Sequence, residues 1–216
     1  MGHRALVAYE RTDGTYNLHY SHWGASGLRL KHAITEATPY GGDIPSQWAR
    51  TTHEALTAGE DIKQVKQRLD IEGNCPTDVE PLPQATDLTL KEAITNHLDF
   101  LTHEAFYVVN SEFEVTAYRT LWLGLQYESQ MIDQSPTVGH GIIQIVRWYR
   151  GEPVGDGYTQ GQFAGMKRIV GKMIDRGVFD RTEALRFLEE QVLALAGDTA
   201  DVRVSLAETP VRRSQR

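Results

Sequence analysis

The amino-acid sequence predicts an α+β fold, in which an antiparallel or mixed sheet of about five strands has about five helices packed against it. Three observations support this: two β-hairpin patterns, one further strand at residues 141–149, and helical patterns between and after the strands. This order of elements does not fit a doubly wound parallel sheet. We assign residues 1–197 to a single domain and the polar, aperiodic residues 198–216 to a mobile C-terminal tail.

The first hairpin is predicted at residues 4–23. Two runs rich in Val, Leu and Tyr flank Asp13-Gly14. The turn needs a positive φ, which glycine adopts at little cost, so this dipeptide between two such runs is a strong hairpin signal. Residues 4–11 and 16–23 are therefore predicted to be the first two strands, paired antiparallel.

Helices are expected next, at Leu28–Glu36, Pro45–Ala58 and Glu60–Leu69. Residues 73–88 hold three prolines and are predicted to be a linker. Thr89 and Glu92 have the spacing of a capping box, in which each side chain accepts from the other residue's backbone N–H. They are predicted to open a helix that ends at about Thr102.

The second hairpin is predicted from residues 105–109 and 113–123, and residues 141–149 form one more strand. A long helix follows at residues 159–176 with Gly177 as its C-terminal stop. The last helix begins after Asp180 and ends at Gly197.

Composition limits the function classes. The chain has 216 residues, a net charge of −7 and one cysteine, Cys75, so it has no internal disulfide and no thiol metal cluster. It contains neither a G-x-G-x-x-G nor a P-loop sequence, which argues against the common nucleotide-binding folds. We predict no cofactor and no metal site.

Localisation is predicted from the same sequence. A charge follows the first residues at once, unlike a signal peptide, and no apolar run reaches the roughly 18 to 20 residues of a membrane helix. We therefore expect a cytoplasmic protein with no membrane partner.

A histidine-rich face of the first hairpin is one candidate site. Strand alternation places His19 and Ser21 on one face with Asn17 and Trp23, whereas His22 points to the other side, so His19 and His22 cannot share a metal. His19 could act as a general base beside Ser21, with Glu10 from the paired strand as the acid. Side chains two residues apart on a strand lie about 6.6 Å apart, too far for a direct hydrogen bond. A hydrogen-bonded polar strand face with no catalytic role is the alternative.

The second candidate site is one face of the helix at residues 159–176. On a helical wheel, an apolar stripe (Phe163, Met166, Ile169, Val170, Met173 and Ile174) lies opposite a face formed by Gly161, Gly165, Arg168, Lys172 and Arg176. A surface without side chains admits a phosphate backbone, and the cations supply the counter-charge. Possible extensions of this face are Arg181, Arg186, Arg212, Arg213, Arg216, Trp148 and Tyr149.

Two alternatives explain the same pattern. Cations near a helix C-terminus are favoured by the helix dipole, and small residues four apart are typical of tight helix packing. The nucleic-acid hypothesis therefore requires that the glycines and cations face outward.

The opening residues, GHRALVAYERTDGTYNLHYSHWGA, together with LRLKH, resemble the start of a family of haloarchaeal proteins of unknown function. The resemblance implies a salt-adapted archaeal cytoplasm. The composition is consistent with this, since 16 of the basic residues are Arg and only six are Lys. It implies no activity and no functional residue.

Three functions remain as hypotheses. The first is a non-catalytic protein that binds nucleic acid or a ribonucleoprotein through the basic helix face. The second is a small hydrolase that uses His19, Ser21 and Glu10. The third is a scaffold that forms homo-oligomers through an exposed strand edge.

Overall fold

The computed structural model describes residues 2–72, 76–196 and 202–206. Its main feature is a seven-stranded sheet in the order β3-β2-β1-β4-β5-β6-β9. The strands of this sheet are β1 (Arg4–Glu10), β2 (Tyr16–Ser21), β3 (Ala85–Leu88), β4 (His103–Val109), β5 (Val115–Trp122), β6 (Gly141–Ile145) and β9 (Val202–Ser205). A separate two-stranded ribbon pairs β7 (Arg147–Tyr149) with β8 (Glu152–Val154).

The sheet is mixed. Its central pair, β1 and β4, runs parallel, and all the other neighbouring strands are antiparallel. The long connection between β2 and β4, which carries several helices, makes the parallel pairing possible. The predicted α+β class and mixed sheet are confirmed.

The helices occupy three stretches of the chain. A short 3₁₀ turn (Ser26–Leu28) and α1 (Leu30–Ala33) follow β2, and α2 (Gln47–Thr57) and α3 (Ile62–Glu72) come next. After β3, α4 (Leu90–Glu92) continues into a π-helical turn at Ala93–His97. The two longest helices, α5 (Asp156–Asp175) and α6 (Arg181–Ala196), follow the ribbon.

Both faces of the sheet are covered. On one face, α2 and the segment after β2 lie over β1 and β4, and α5 and α6 lie over β5 and β6. On the other face, the π-helical turn and the residues after it cover a core that includes Leu6, Phe106 and Ile143. Every central strand is therefore buried on both sides, and the N-terminal and C-terminal helices share one face.

The described residues form nine strands, and two of those that the sequence did not predict are short edge strands. β3 lies in the predicted linker, and β9 lies in the predicted tail. Both are edge strands of four residues that pair through backbone groups, so they need little side-chain periodicity. Apart from Leu206, which follows β9, the rest of the predicted tail lies outside the described residues.

The predicted strand at residues 141–149 is two strands in different sheets. Ile145 still pairs with Tyr118 of β5, but Arg147–Tyr149 leaves that sheet and pairs with β8. Pro153 in β8 lacks a backbone donor, which keeps this ribbon short. The ribbon leads the chain directly into α5.

The capping box is confirmed, but the helix it opens is shorter than predicted. The Thr89 backbone N–H donates to Glu92 Oε2 over 2.8 Å, and the Glu92 backbone N–H donates to Thr89 Oγ1 over 3.2 Å. The helix closes with the Leu98 N–H donating to the Ala93 carbonyl, so it ends before Thr102.

One ion pair fixes the start of α5 on the sheet. Arg119 Nε lies 2.9 Å from both carboxylate oxygens of Asp156, and Arg119 Nη2 lies 2.9 Å from Asp156 Oδ2. Both side chains are only 14% exposed. Arg119 Nη1 also donates to the Ala25 carbonyl, so this arginine connects α5 to the segment after β2. Asp156 lies in the first turn of α5, where the helix dipole favours a negative charge.

Asp156→Ala is expected to lower the free energy of unfolding by about 3 to 5 kcal/mol, because it leaves a buried arginine without its counter-charge. Glu60→Ala is the matched control. It removes the acid of an exposed ion pair with Arg68, whose loss costs at most about 1 kcal/mol. Urea unfolding of both variants measures the difference, and equal losses would contradict the anchoring role of Asp156.

Candidate functional site

The inward side of α5 is apolar and closely packed. Phe163, Val170 and Ile174 are buried in the core formed with α6 and the sheet. Gly171 lies against the loop that follows β5, where an added Cβ would collide with the Glu128 carbonyl oxygen. This side of the helix therefore has a fixed position.

Two charged residues hold α5 to the same loop. Asp175 Oδ1 accepts from Ser129 Oγ over 2.7 Å and from the Gln130 N–H over 2.9 Å. Lys167 Nζ is buried 3.4 Å from Glu128 Oε1 and 4.7 Å from the ring centre of Trp122. Burial lowers the pKa of Lys167, and the neighbouring carboxylate partly opposes that shift.

The opposite side of α5 is the predicted site, and it faces outward. We call it the α5 basic face: Gly161, Gly165, Arg168, Lys172 and Arg176. Its three cations are exposed, Gly161 is exposed and Gly165 is partly exposed. A Cβ added at either glycine would meet no atom within 4 Å. Within the described ranges, none of the three cations forms an ion pair or a side-chain hydrogen bond.

The border of the α5 basic face is more apolar than predicted. Ile169 was expected in the buried stripe, and this prediction is wrong, since Ile169 is 60% exposed. Its position on the wheel, about 80° from Gly161, places it at the edge of the outward side. Tyr158, which is 69% exposed, borders the glycine half of the face.

The predicted extensions of this face are only partly available. Arg186 is exposed, but Arg181 is half-buried and donates to the Gln134 carbonyl. Trp148 packs against His32 with ring centres 5.0 Å apart, whereas Tyr149 is 63% exposed with Arg150 over its ring. Arg212, Arg213 and Arg216 lie outside the described residues.

Asn17, His19 and Ser21 of the predicted histidine face are buried, whereas Trp23 is 49% exposed. His19 is 1% exposed, and its Nδ1 lies 2.9 Å from the Glu80 carbonyl oxygen. Ser21 donates to the Asp78 carbonyl over 2.6 Å, and the Asn17 amide donates to the Leu56 carbonyl over 3.0 Å. Burial lowers the pKa of His19 to about 4. These polar side chains hold the segments that cover the strand.

The structure does not bring His19, Ser21 and Glu10 together. His19 and Ser21 are bonded to different carbonyls, and the alternation of β1 places Glu10 on the opposite face of the sheet from His19. Glu10 Oε2 instead accepts from the Ser111 backbone N–H over 3.2 Å. The arrangement has no nucleophile within hydrogen-bond reach of a base.

Sequence reasoning missed the groups that orient α5. Lys167 gave a usable signal, because it lies on the apolar side of the helical wheel, where an isolated charge requires a partner. The Arg119–Asp156 pair gave none, since 37 residues separate its members. Arg119 and Asp156 also line a cavity of about 190 Å³ at the start of α5.

Among the described residues, no group of three or more His, Cys, Asp or Glu side chains is arranged to hold a metal ion. No helix in the described ranges combines the length and apolarity that crossing a bilayer requires.

Comparison with known proteins identifies a family. The model of a family of unknown function, DUF6735, matches residues 1–204, so the chain belongs to this family. Comparison with curated proteins and with solved structures found no match.

Two glycines of α5 are expected to respond in opposite ways to the same substitution. Gly165→Ala should raise the free energy of unfolding by up to about 1 kcal/mol, because alanine favours the helix and the added Cβ meets open space. Gly171→Ala should lower it, because the Cβ collides with the Glu128 carbonyl. Thermal or urea unfolding gives both values, and a loss at Gly165 would mean that this side is covered.

The buried His19 should make folding pH-dependent. Its pKa is about 4 in the fold and 6.5 in the unfolded chain, so between these values the unfolded chain binds more protons and stability falls as pH falls. His19→Gln removes this contribution, which is about 1.4 kcal/mol per pH unit across the window. Urea unfolding from about pH 6.5 to about pH 4 measures it. Parallel curves for the wild-type protein and the variant would contradict the neutral buried state.

Proposed function

We propose that this protein binds nucleic acid, free or in a ribonucleoprotein, through the α5 basic face. One observation carries the proposal: Arg168, Lys172 and Arg176 form an exposed row of cations without protein counter-charges in the described ranges, beside two glycines over open space. Protein cations without partners are available to neutralise phosphates and release condensed counterions.

The spacing of the cations suits a phosphate backbone. A helix rises about 1.5 Å per residue, so Arg168, Lys172 and Arg176 follow one another at about 6 Å. One strand of duplex DNA carries a phosphate about every 3.4 Å along the axis, so the row offers roughly one cation for every second phosphate. The bare surface at Gly161 and Gly165 would let a backbone lie close to the helix.

Aromatic groups near the start of α5 could add stacking. Tyr158 borders the glycines, and Tyr149 and Arg150 are exposed on the ribbon that leads into the helix. Base stacking on aromatic side chains tolerates any sequence. This favours single-stranded nucleic acid bound without sequence preference.

The net charge of −7 is spread unevenly along the chain, so it does not repel a phosphate chain equally from every part of the surface. The acidic excess is concentrated in residues 51–100, with ten acids and four bases. Most of that excess lies at residues 78–99, with five acids and one base, around β3 at one edge of the sheet, whereas α5 lies over β5 and β6 toward the other edge. Repulsion between the acidic residues around β3 and a phosphate chain would orient the ligand toward α5.

We also propose that the protein is cytoplasmic. More specifically, we propose that it comes from a salt-rich archaeal cytoplasm. It bears on the test, because binding through three cations weakens steeply with salt. A cytoplasm with molar salt would require that a ribonucleoprotein partner add contacts beyond the α5 basic face.

The proposal predicts a defined salt dependence. With three phosphates neutralised, the logarithm of the association constant should fall against the logarithm of salt with a slope of about −2.1 for single strands and about −2.7 for duplex. From about 50 mM to about 200 mM salt, duplex affinity should drop about 40-fold. Fluorescence anisotropy with a labelled oligonucleotide measures this slope.

The matched variants carry equal changes in net charge. Arg168→Ala/Lys172→Ala/Arg176→Ala should abolish the salt-dependent binding, because it removes the whole row. Lys63→Ala/Lys66→Ala/Lys91→Ala removes three exposed cations from other helices and should leave binding close to wild type. Equal losses in both variants, or no binding by the wild-type protein at low salt, would refute the proposal.

A further inference from the structure

A second cavity shares no lining residue with the α5 basic face. It has a volume of about 220 Å³ and opens between α2, the segment before it, and the turn that joins β4 to β5. The polar groups that line it are Glu36, Arg50, His53, Glu54, Ser111 and Glu112. The volume is below the roughly 300 Å³ at which pockets for drug-sized ligands begin, so only a small ligand fits.

The charged side chains that line this cavity have no partners among the described residues. Within the described part of the chain, the half-buried Arg50 forms no side-chain hydrogen bond and no ion pair. The same holds for the carboxylates of Glu36, Glu54 and Glu112. The three glutamates are exposed, and no guanidinium nitrogen of the half-buried Arg50 is sealed from solvent, so a charged ligand can reach all four groups. One cation and three anions therefore face a shared space without neutralising one another.

His53 lines the cavity. Burial lowers its pKa to about 4, so its imidazole is neutral near pH 7 and offers one donor and one acceptor. Neither ring nitrogen has a hydrogen-bond partner in the described residues, and neither is sealed from solvent. The ring is fixed by aromatic neighbours, at 4.9 Å from Phe113 and 5.3 Å from Tyr9.

Phe113 also lines the cavity. Its backbone conformation is unfavourable. Its φ is 59°, a region that bulky residues rarely adopt and that costs of order 1 to 3 kcal/mol. Glycine or asparagine would form this turn without strain. The Phe113 ring packs against the hydrophobic core and against His53, and these contacts fix the position of the turn beside the cavity.

We propose that this cavity binds a small amino-acid-like ligand that carries one carboxylate and one or two cationic nitrogens. The carboxylate would pair with Arg50 in a two-point contact, as guanidinium groups favour. The nitrogens would pair with Glu36, Glu54 and Glu112, and the apolar stem would lie against Phe113. A ligand with two cations and one carboxylate, such as a basic amino acid, would meet an opposite charge for each of its own groups and would reduce the net charge of the cavity from −2 to −1.

Isothermal titration calorimetry with L-lysine tests the proposal on the full chain. L-lysine should bind at least tenfold more tightly than acetate or n-butylamine, which carry only its carboxylate or only its ammonium group. Arg50→Gln should weaken L-lysine at least tenfold and leave n-butylamine binding unchanged. Glu112→Gln and Glu36→Gln should each weaken both amines, which provides a second reading if Arg50→Gln does not fold.

Lys63→Gln, which removes an exposed cation of α3, is the matched control and should bind L-lysine as the wild type does. The proposal is overturned if L-lysine gives no binding heat, if n-butylamine binds as tightly as L-lysine, or if Arg50→Gln binds L-lysine unchanged. The Arg168/Lys172/Arg176 variant should retain L-lysine binding, so failure of this proposal and failure of nucleic-acid binding are distinguishable.

Discussion

The orientation of α5 depends on the buried ion pair between Arg119 and Asp156. Arg119 lies near the middle of the sheet and bonds both to the first turn of α5 and to the carbonyl of Ala25. Because a desolvated charge is costly without its partner, this pair permits little rotation of the helix. Lys167 and Asp175 hold the rest of α5 to the loop after β5, and together the three contacts decide which residues face solvent.

Two kinds of charged group follow from this orientation. Asp156 and Lys167 are largely buried and Asp175 is exposed, but each of the three is bonded to another part of the protein. Arg168, Lys172 and Arg176 remain outside without partners in the described ranges, so their charge is available to a ligand. In the described ranges, the charged side chains that line the cavity at Arg50 likewise form no ion pair and no side-chain hydrogen bond.

Local chemistry could be predicted from the sequence, and long-range contacts could not. Asp13-Gly14 forms the expected turn with a φ of 80° at Gly14, and the capping box at Thr89 is present, because both depend on neighbouring residues only. β3 and β9 were missed, since edge strands pair through backbone groups that leave no pattern. The cavity at Arg50 was missed because tertiary packing brings three separate segments together. The outward side of α5 could be predicted, except that Ile169 was placed in the core.

The central claim is that ligand contact concentrates on the outward side of α5. Titration of a single-stranded oligonucleotide into ¹⁵N-labelled protein, followed by amide chemical shifts, tests it most directly. The account predicts that the largest shifts lie at Gly161, Gly165, Arg168 and Lys172 and that residues of β1 and β2 do not respond. Shifts centred on another surface, with α5 unchanged, would contradict it.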